Sequence, residues 1–286
     1  MKLKTIAAVL GSPVTQSLSP AIHNAAFARM SKPWRYVAID VDAQYFEEEV
    51  LAARDAGMLG LSITMPHKDA AFALVQNCDE IAQRSGSVNT IVFGDTGALR
   101  GANTDGDGCC DALVRGGASI EGSRAVVLGA GGTARAVIAA LGLRGAADIA
   151  VVNRTQSRAS EASECADVAR VGTEKDIADA TLLVNTTSVG MGTNESPVSA
   201  TFLHSALTVL DAVYHPLETA FIAQARHAGA RTIDGLWMLI CQAVRQEELW
   251  CGMTPDPQVM REAALLVLAQ RTSLLSRFLR QSTGSL

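Results

Sequence analysis

Gly129-Ala130-Gly131-Gly132-Thr133-Ala134 follows directly on the apolar run Ala125-Val126-Val127-Leu128 and fits G-x-G-x-x-A. Gly129 permits a sharp turn, Gly131 lets backbone approach a pyrophosphate, and Ala134 lets the following helix pack closely on its strand. The helix start offers unpaired N–H groups and the positive end of its dipole to phosphates. The chemistry implied is dinucleotide binding. Ile149 to Val152 is the next strand, and Asn153, Arg154, Thr155 and Arg158 follow it. An NAD site places Asp or Glu near that point to hold the ribose 2′-OH. Here no carboxylate is offered, and two guanidiniums can converge on a 2′-phosphate with fork-shaped hydrogen bonds. The expected cofactor is NADP.

A second group of polar residues falls where strands of an earlier α/β unit end, which is where open sheets of this class form ligand sites. Lys68 follows Met65-Pro66-His67, and Asp105 sits in Asn103-Thr104-Asp105-Gly106 after a hairpin. A lysine beside a low-dielectric cleft can exchange protons, and a carboxylate can pair with it. Taken singly, Lys68 also reads as a surface residue and Asp105 as a helix N-cap. His23 and His67 lie beside apolar helical positions and read as structural histidines. No His, Cys and carboxylate spacing suggests a metal.

The elements that must position these residues alternate strand and helix. Strands are expected at Ile6 to Leu10, Trp34 to Val41 and Leu59 to Thr64, with a hairpin from Val88 to Phe93 and Leu99-Arg100 about a glycine turn. Helices are expected from Ser19 (N-cap) and Pro20 (first turn), over Ala43 to Ala56, Lys68 to Asn77 and Asp79 to Arg84. Asp105 to Arg115 is a helix ended by Gly116-Gly117. Beyond the dinucleotide loop come a helix from Ser157 to Ala169, strands at Leu182 to Val184, Val209 to Val213 and Thr232-Ile233, and a helix from Thr219 to Ala228. Ile240 to Trp250 and Pro257 to Gln270 are the last two helices, and residues 272–286 form a short Ser-rich tail expected to fray.

At 286 residues the length suggests two domains, and 48% hydrophobic with 19% charged residues describes a compact globule. The net charge of −5 gives no general attraction to nucleic acid or an anionic membrane, so any anion site must be local. No apolar run approaches the ~20 residues of a membrane span. The N-terminal stretch imitates a signal peptide only faintly and reads as a first strand. Six cysteines without CxxC or metal spacing fit small buried residues in a reducing cytoplasm.

G-S-P-V-T-Q-S-L-S-P-A-I-H-N-A-A-F, G-L-S-I-T-M-P-H-K, S-V-N-T-I, N-T-D-G, G-A-G-G-T-A-R-A, N-R-T-Q-S-R, N-T-T-S-V-G-M and D-G-L-W-M-L-I-C-Q-A occur in that order from Gly11 to about Pro255. Together they resemble the shikimate dehydrogenase family. The resemblance implies an α/β fold of two domains with a cleft between them. Residues 1–104 and 238–286 would form the substrate-binding domain, and 105–237 a Rossmann-type doubly wound NADP domain. It implies NADPH-dependent, reversible reduction of 3-dehydroshikimate to shikimate, in the route to aromatic amino acids. Lys68 and Asp105 match the catalytic pair. Ser17 and Ser19 match the serines on the substrate carboxylate, and Thr64, Asn89, Tyr214 and Gln242 match further substrate contacts. Asn153, Arg154, Thr155 and Arg158 match the 2′-phosphate clamp, while Thr187, Ser188, Ala212 and Gly235 match positions lining the rest of the cofactor site.

Three residues depart from the family pattern. Gln16 stands for His, Ser62 for Asn, and Trp237 for a small residue whose replacement would narrow the nicotinamide or substrate side of the cleft. These departures leave open a quinate/shikimate-type paralogue of altered specificity. A non-catalytic NADP-binding sensor is the reading from another class, against which the retention of Lys68 and Asp105 argues. The expected partner is a small molecule, with neither nucleic acid nor membrane, in a cytoplasmic monomer or homodimer.

Overall fold

The computed structural model describes residues 3–283, and residues 272–283 by their backbone alone. Two six-stranded sheets organise the chain. In the first, the order is β2 (Trp34–Asp40), β1 (Lys4–Gly11), β3 (Gly60–Ile63), β5 (Thr90–Phe93), β6 (Leu99–Ala102) and β4 (Asn77–Cys78). β1 runs parallel to β2 and β3, whereas β5 is antiparallel to both of its neighbours. The second sheet is wholly parallel, in the order β12 (Arg231–Ile233), β11 (Thr208–Asp211), β10 (Leu182–Asn185), β7 (Arg124–Leu128), β8 (Asp148–Val152) and β9 (Ala169–Val171). β7 lies between β10 and β8, so the strand order reverses there and opens a crevice at the carboxyl ends. The strands around it are near-continuous apolar runs, as a sheet covered on both faces requires.

The first sheet carries α1 (Ser19–Arg29), α2 (Phe46–Asp55), α3 (Lys68–Leu74) and α4 (Glu80–Ser85). α5 (Thr104–Arg115) leads to the second sheet with α6 (Gly132–Leu143), α7 (Gln156–Ser163) and α8 (Ala220–His227). α9 (Gly235–Cys251) and α10 (Pro257–Thr283) close the chain. Leu18, Ile22 and Ala26 of the α1 region share one core with Leu236, Ile240, Met260 and Ala264 of α9 and α10. Each such Leu or Ile contributes about 1.5–3 kcal/mol by leaving water, so α10 is held to α1 across the length of the sequence. Further along α9, Trp250 donates to the Ile91 carbonyl at 3.0 Å, tying the helix to the first sheet.

α5 is the hub. A Cβ at Gly106 would lie 2.4 Å from the Ala136 carbonyl oxygen, and one at Gly108 would lie 2.6 Å from the Gln242 Cβ. Glycines on either side of Asp107 therefore let α5 wedge between α6 and α9. Arg144, at the C-cap of α6, bonds Asp107 and Asp111, and Arg245 of α9 bonds Asp111, which clamps the wedge on both sides.

Several local expectations are corrected. Leu18, not Ser19, occupies the N-cap of α1; Ser19 is the first helical residue, and its N–H is taken by the Ser17 hydroxyl at 3.2 Å. Asp105 is likewise not an N-cap: Asn103 caps α5, accepting from the Asp105 N–H at 3.1 Å. The helices expected over Lys68 to Asn77 and Ser157 to Ala169 end early, at Leu74 and Ser163, and the short strands β4 and β9 begin at their expected last residues. α9 begins at Gly235, five residues before its expected start, because Asp234 caps it. The expected frayed tail is helical to Thr283, and residues 271–283 contain no Gly or Pro to stop it; the last three residues of that tail lie outside the described residues.

Candidate active site

Lys68 is the first residue of α3, immediately after the Thr64–His67 turn that ends β3. His67 anchors that turn: its Nε2 lies 2.7 Å from the Val41 carbonyl and its ring stacks on Phe46 at 4.8 Å. Asp105 lies in the first turn of α5, and its Oδ2 accepts a hydrogen bond from the Lys68 ammonium. The two side chains are only 18% and 13% exposed. Lys68 Nζ also lies 3.5 Å from Thr133 Oγ1 at the start of α6. The pair therefore stands where the first sheet meets the dinucleotide loop.

A buried network holds it. Asn89 donates to Asp105 Oδ1 at 2.8 Å, to Thr104 Oγ1 at 3.0 Å and to Gln242 Oε1 at 3.4 Å. Its own oxygen accepts from Thr90 Oγ1 and from the Thr104 N–H, both at 2.8 Å. Thr90 receives Gln246 Nε2 at 3.0 Å, Gln246 receives Ser62 at 2.9 Å, and Ser62 receives Tyr36 at 2.6 Å. Burial of Tyr36 raises its pKa. Ser62, one of the three departures, thus sits inside the network that carries Asn89. Thr90, Thr104, Tyr36 and Gln246 were not singled out from the sequence. Only Gln246 carried a signal, lying one helical turn after Gln242.

Of the residues expected to bind substrate, Asn89 and Gln242 are joined directly to Asp105 or to each other. Thr64 lines a cleft of about 400 Å³ together with Lys68, Gly131, Gly132, Thr133, Thr187, Ser188 and Ala212. Ser17, Ser19 and Tyr214 do not line that cleft. Ser19 is buried, Ser17 is half-buried, and Tyr214 packs against the core shared by α1, α9 and α10 with its hydroxyl pKa raised by burial. Thr187 is held by Asn185, which accepts from its N–H at 3.0 Å and its hydroxyl at 2.7 Å. Gly235 abuts Ala212, whose carbonyl oxygen would lie 2.5 Å from a Cβ there.

The glycine loop has the shape a dinucleotide needs. Gly129 has φ +115°, and a Cβ there would strike Thr186 Oγ1 at 2.6 Å. Gly131 faces open space, and no side chain caps the N-terminus of α6, so its first N–H groups face the cleft mouth unpaired by a cap. Ala134 is buried, whereas Ala130 is half-buried. The Gly129 N–H bonds the Val152 carbonyl at 2.9 Å, setting the loop after β7 beside the loop after β8. There Asn153 donates to the Thr155 carbonyl at 3.0 Å, while Arg154 and Arg158 are exposed and form no ion pair with a described carboxylate. These two guanidiniums are available for an anion.

Trp237 is not among the residues lining the cleft of about 400 Å³. It is stacked between two guanidiniums, with Arg115 at 3.9 Å and Arg261 at 4.5 Å from its ring centroid. Arg261 is itself fixed by Asp234 through bonds of 2.9 and 2.7 Å. The ring is used for packing α5, α9 and α10 together.

Family models match most of this framework: the shikimate dehydrogenase substrate binding domain over residues 9–91, shikimate/quinate 5-dehydrogenase over 113–188, and the shikimate 5′-dehydrogenase C-terminal domain over 235–265. A shikimate dehydrogenase (NADP+) of Methanosarcina mazei is 42% identical over 279 residues, covering 93% of this chain and 99% of that protein. The chain belongs to the shikimate dehydrogenase family. Among solved structures, the shikimate 5-dehydrogenase of Thermus thermophilus in complex with NADP(H) and shikimate has a TM-score of 0.83 at 38% identity, covering 90% of this chain and 97% of that one. The 5-ketofructose reductase of a Gluconobacter strain has a TM-score of 0.86 at 30% identity over 93% of this chain and 99% of that one. The same architecture is therefore also found in a 5-ketofructose reductase, and the substrate must be argued from the site.

Proposed function

We propose that this chain catalyses the reversible, NADPH-dependent reduction of 3-dehydroshikimate to shikimate. The observation that carries the reading is the Lys68–Asp105 pair, held by Asn89 and standing beside Thr133 at the start of the dinucleotide helix. When bound, NADPH supplies the hydride. Gly129 to Ala134 cradle its pyrophosphate, with Asn153, Arg154, Thr155 and Arg158 on the 2′-phosphate and Thr187, Ser188, Ala212 and Gly235 along the remainder. Ser17 and Ser19 hold the substrate carboxylate, while Thr64, Asn89, Tyr214 and Gln242 hold the ring hydroxyls. Lys68 gives its Nζ proton to the carbonyl oxygen as negative charge develops there. Asp105 orients the ammonium and accepts from the same hydroxyl. Lys68→Ala is expected to lower kcat by roughly 10²–10⁴-fold, the usual worth of a general acid.

The packing of α9 and α10 on α1 supports a substrate unit of residues 1–104 and 238–286 around an NADP unit of 105–237. Among the described residues no helix is long and apolar enough to cross a membrane. The reading includes a cytoplasmic enzyme acting as a monomer or homodimer on a small molecule. The test is an initial-rate assay of shikimate and quinate, each with NADP+ and NAD+. Fast turnover of shikimate with NADP+ is expected. Preference for quinate would transfer the reading to a paralogue, and NADP+ binding without turnover of either acid would leave a sensor.

A further inference from the structure

One turn of α6 carries more than the dinucleotide cradle. Thr133 faces the cleft and lies 3.5 Å from Lys68 Nζ. Two residues on, Arg135 turns to the other sheet. Its Nε donates to the Ser85 carbonyl at 2.7 Å and its NH2 donates to Asp69 Oδ1 at 2.6 Å. Ser85 is the last residue of α4, and Asp69 directly follows Lys68 on α3. A single guanidinium therefore spans from the dinucleotide helix to α3, which begins at Lys68, and to the end of α4. Between them, Ser87 Oγ is buried without a partner, 3.0 Å from where a Cβ at Gly132 would be, so the two units touch at this point.

The two limbs are unequal. Asp69 is 72% exposed, so its ion pair is screened and weak. The bond to Ser85 is directed at a main-chain carbonyl at a helix end, where a charged donor satisfies an otherwise unpaired acceptor. Only the planar fork of arginine serves both at once.

We propose that Arg135 is a positioning residue that couples occupancy of the dinucleotide loop to the placement of Lys68. Phosphates on the α6 N-terminus fix α6; through Arg135 they fix α3 and α4, and with them the ammonium. Coupling of this kind is reciprocal, so substrate engaged by Lys68 tightens the dinucleotide by the same factor. The inference rests on the activity proposed above.

The test is the dissociation constant of NADP+ with and without saturating shikimate, in wild type and Arg135→Ala, read by intrinsic fluorescence alongside kcat and KM. In the variant the ratio of the two constants is expected to collapse toward one. kcat is expected to fall on the order of 10- to 100-fold, the cost of misplacing a reacting group by about an ångström, while NADP+ affinity without shikimate changes less than threefold. A folded variant that keeps the wild-type ratio overturns the inference. Should Arg135→Ala not fold, Arg135→Gln keeps a donor that cannot span both acceptors and is read the same way. Wild type that turns over shikimate without any such ratio also overturns it and leaves the activity standing, whereas wild type inert toward shikimate removes both.

Discussion

Asn89 and Asp105 are joined by a 2.8 Å hydrogen bond from Nδ2 to Oδ1, while the other carboxylate oxygen takes the Lys68 ammonium. Each oxygen of Asp105 thus has its own donor. The Asn89 amide is in turn locked, because Thr90 Oγ1 and the Thr104 N–H both donate to its oxygen at 2.8 Å. The carboxylate plane, and with it the direction of the ammonium, is set by the chain's own bonds at the start of β5 and of α5. Preorganisation of this kind spares the reaction the cost of ordering charged groups.

Asn89→Ala is expected to leave Asp105 Oδ1 and the Thr104 N–H unpaired in a buried setting. The fold should lose about 1–3 kcal/mol, the usual cost of stranding such groups. kcat should fall more than KM rises, because the carboxylate remains but its plane is free. Urea unfolding and steady-state kinetics check both halves. Unchanged kcat with lowered stability would reduce Asn89 to a structural role.

Much of this was legible in the sequence. Strand, glycine loop and strand at 125–152 announced themselves because buried parallel strands are unbroken apolar runs and the loop admits little besides glycine. Lys68 and Asp105 could be named as a pair, but not that Thr90, Thr104 and Gln246 hold them. Those residues contact one another across elements far apart in sequence, and nothing periodic marks them. The packing of Trp237 has a similar origin. Position in a motif suggested the cleft, whereas two arginines, one more than a hundred residues earlier, drew the ring into a stack. Ser19 and Asp105 were misplaced as caps because capping depends on one residue's backbone angles, which composition does not fix.

Arg154 and Arg158, exposed and unpaired with described carboxylates, form the proposed 2′-phosphate clamp. Arg154→Ala is expected to weaken NADP+ on the order of 10- to 100-fold, the worth of one charge-assisted contact. NAD+, which lacks the 2′-phosphate, should change less than threefold. Isothermal titration with both dinucleotides decides it, and equal losses would remove Arg154 from the clamp.

Trp237→Leu separates packing from specificity. The stack between Arg115 and Arg261 contributes cation–π energy of about 0.5–2 kcal/mol, on top of the lost aromatic burial. The variant should be less stable by roughly 1–3 kcal/mol and keep kcat/KM for shikimate within threefold. A tenfold change in KM at unaltered melting temperature would return Trp237 to the cleft.

His23 and Glu247 form a fully buried pair, with Nδ1 and Oε1 2.7 Å apart and the ring stacked on Tyr36 at 4.3 Å. Burial raises the Glu247 pKa above 4.5, and the His23 contact opposes this only in part. Its second oxygen has no partner, so ionisation leaves a charged oxygen unsolvated. The folded chain therefore holds this proton to higher pH than the unfolded chain. The associated stability is fully present below about pH 4.5 and is lost as pH rises through the raised value. Glu247→Gln keeps an oxygen to accept from His23 but cannot ionise. Measured by urea midpoint from about pH 4.5 to 7, the variant should gain on wild type steadily as pH rises. A difference independent of pH would mean that burial does not hold the Glu247 proton in the folded chain.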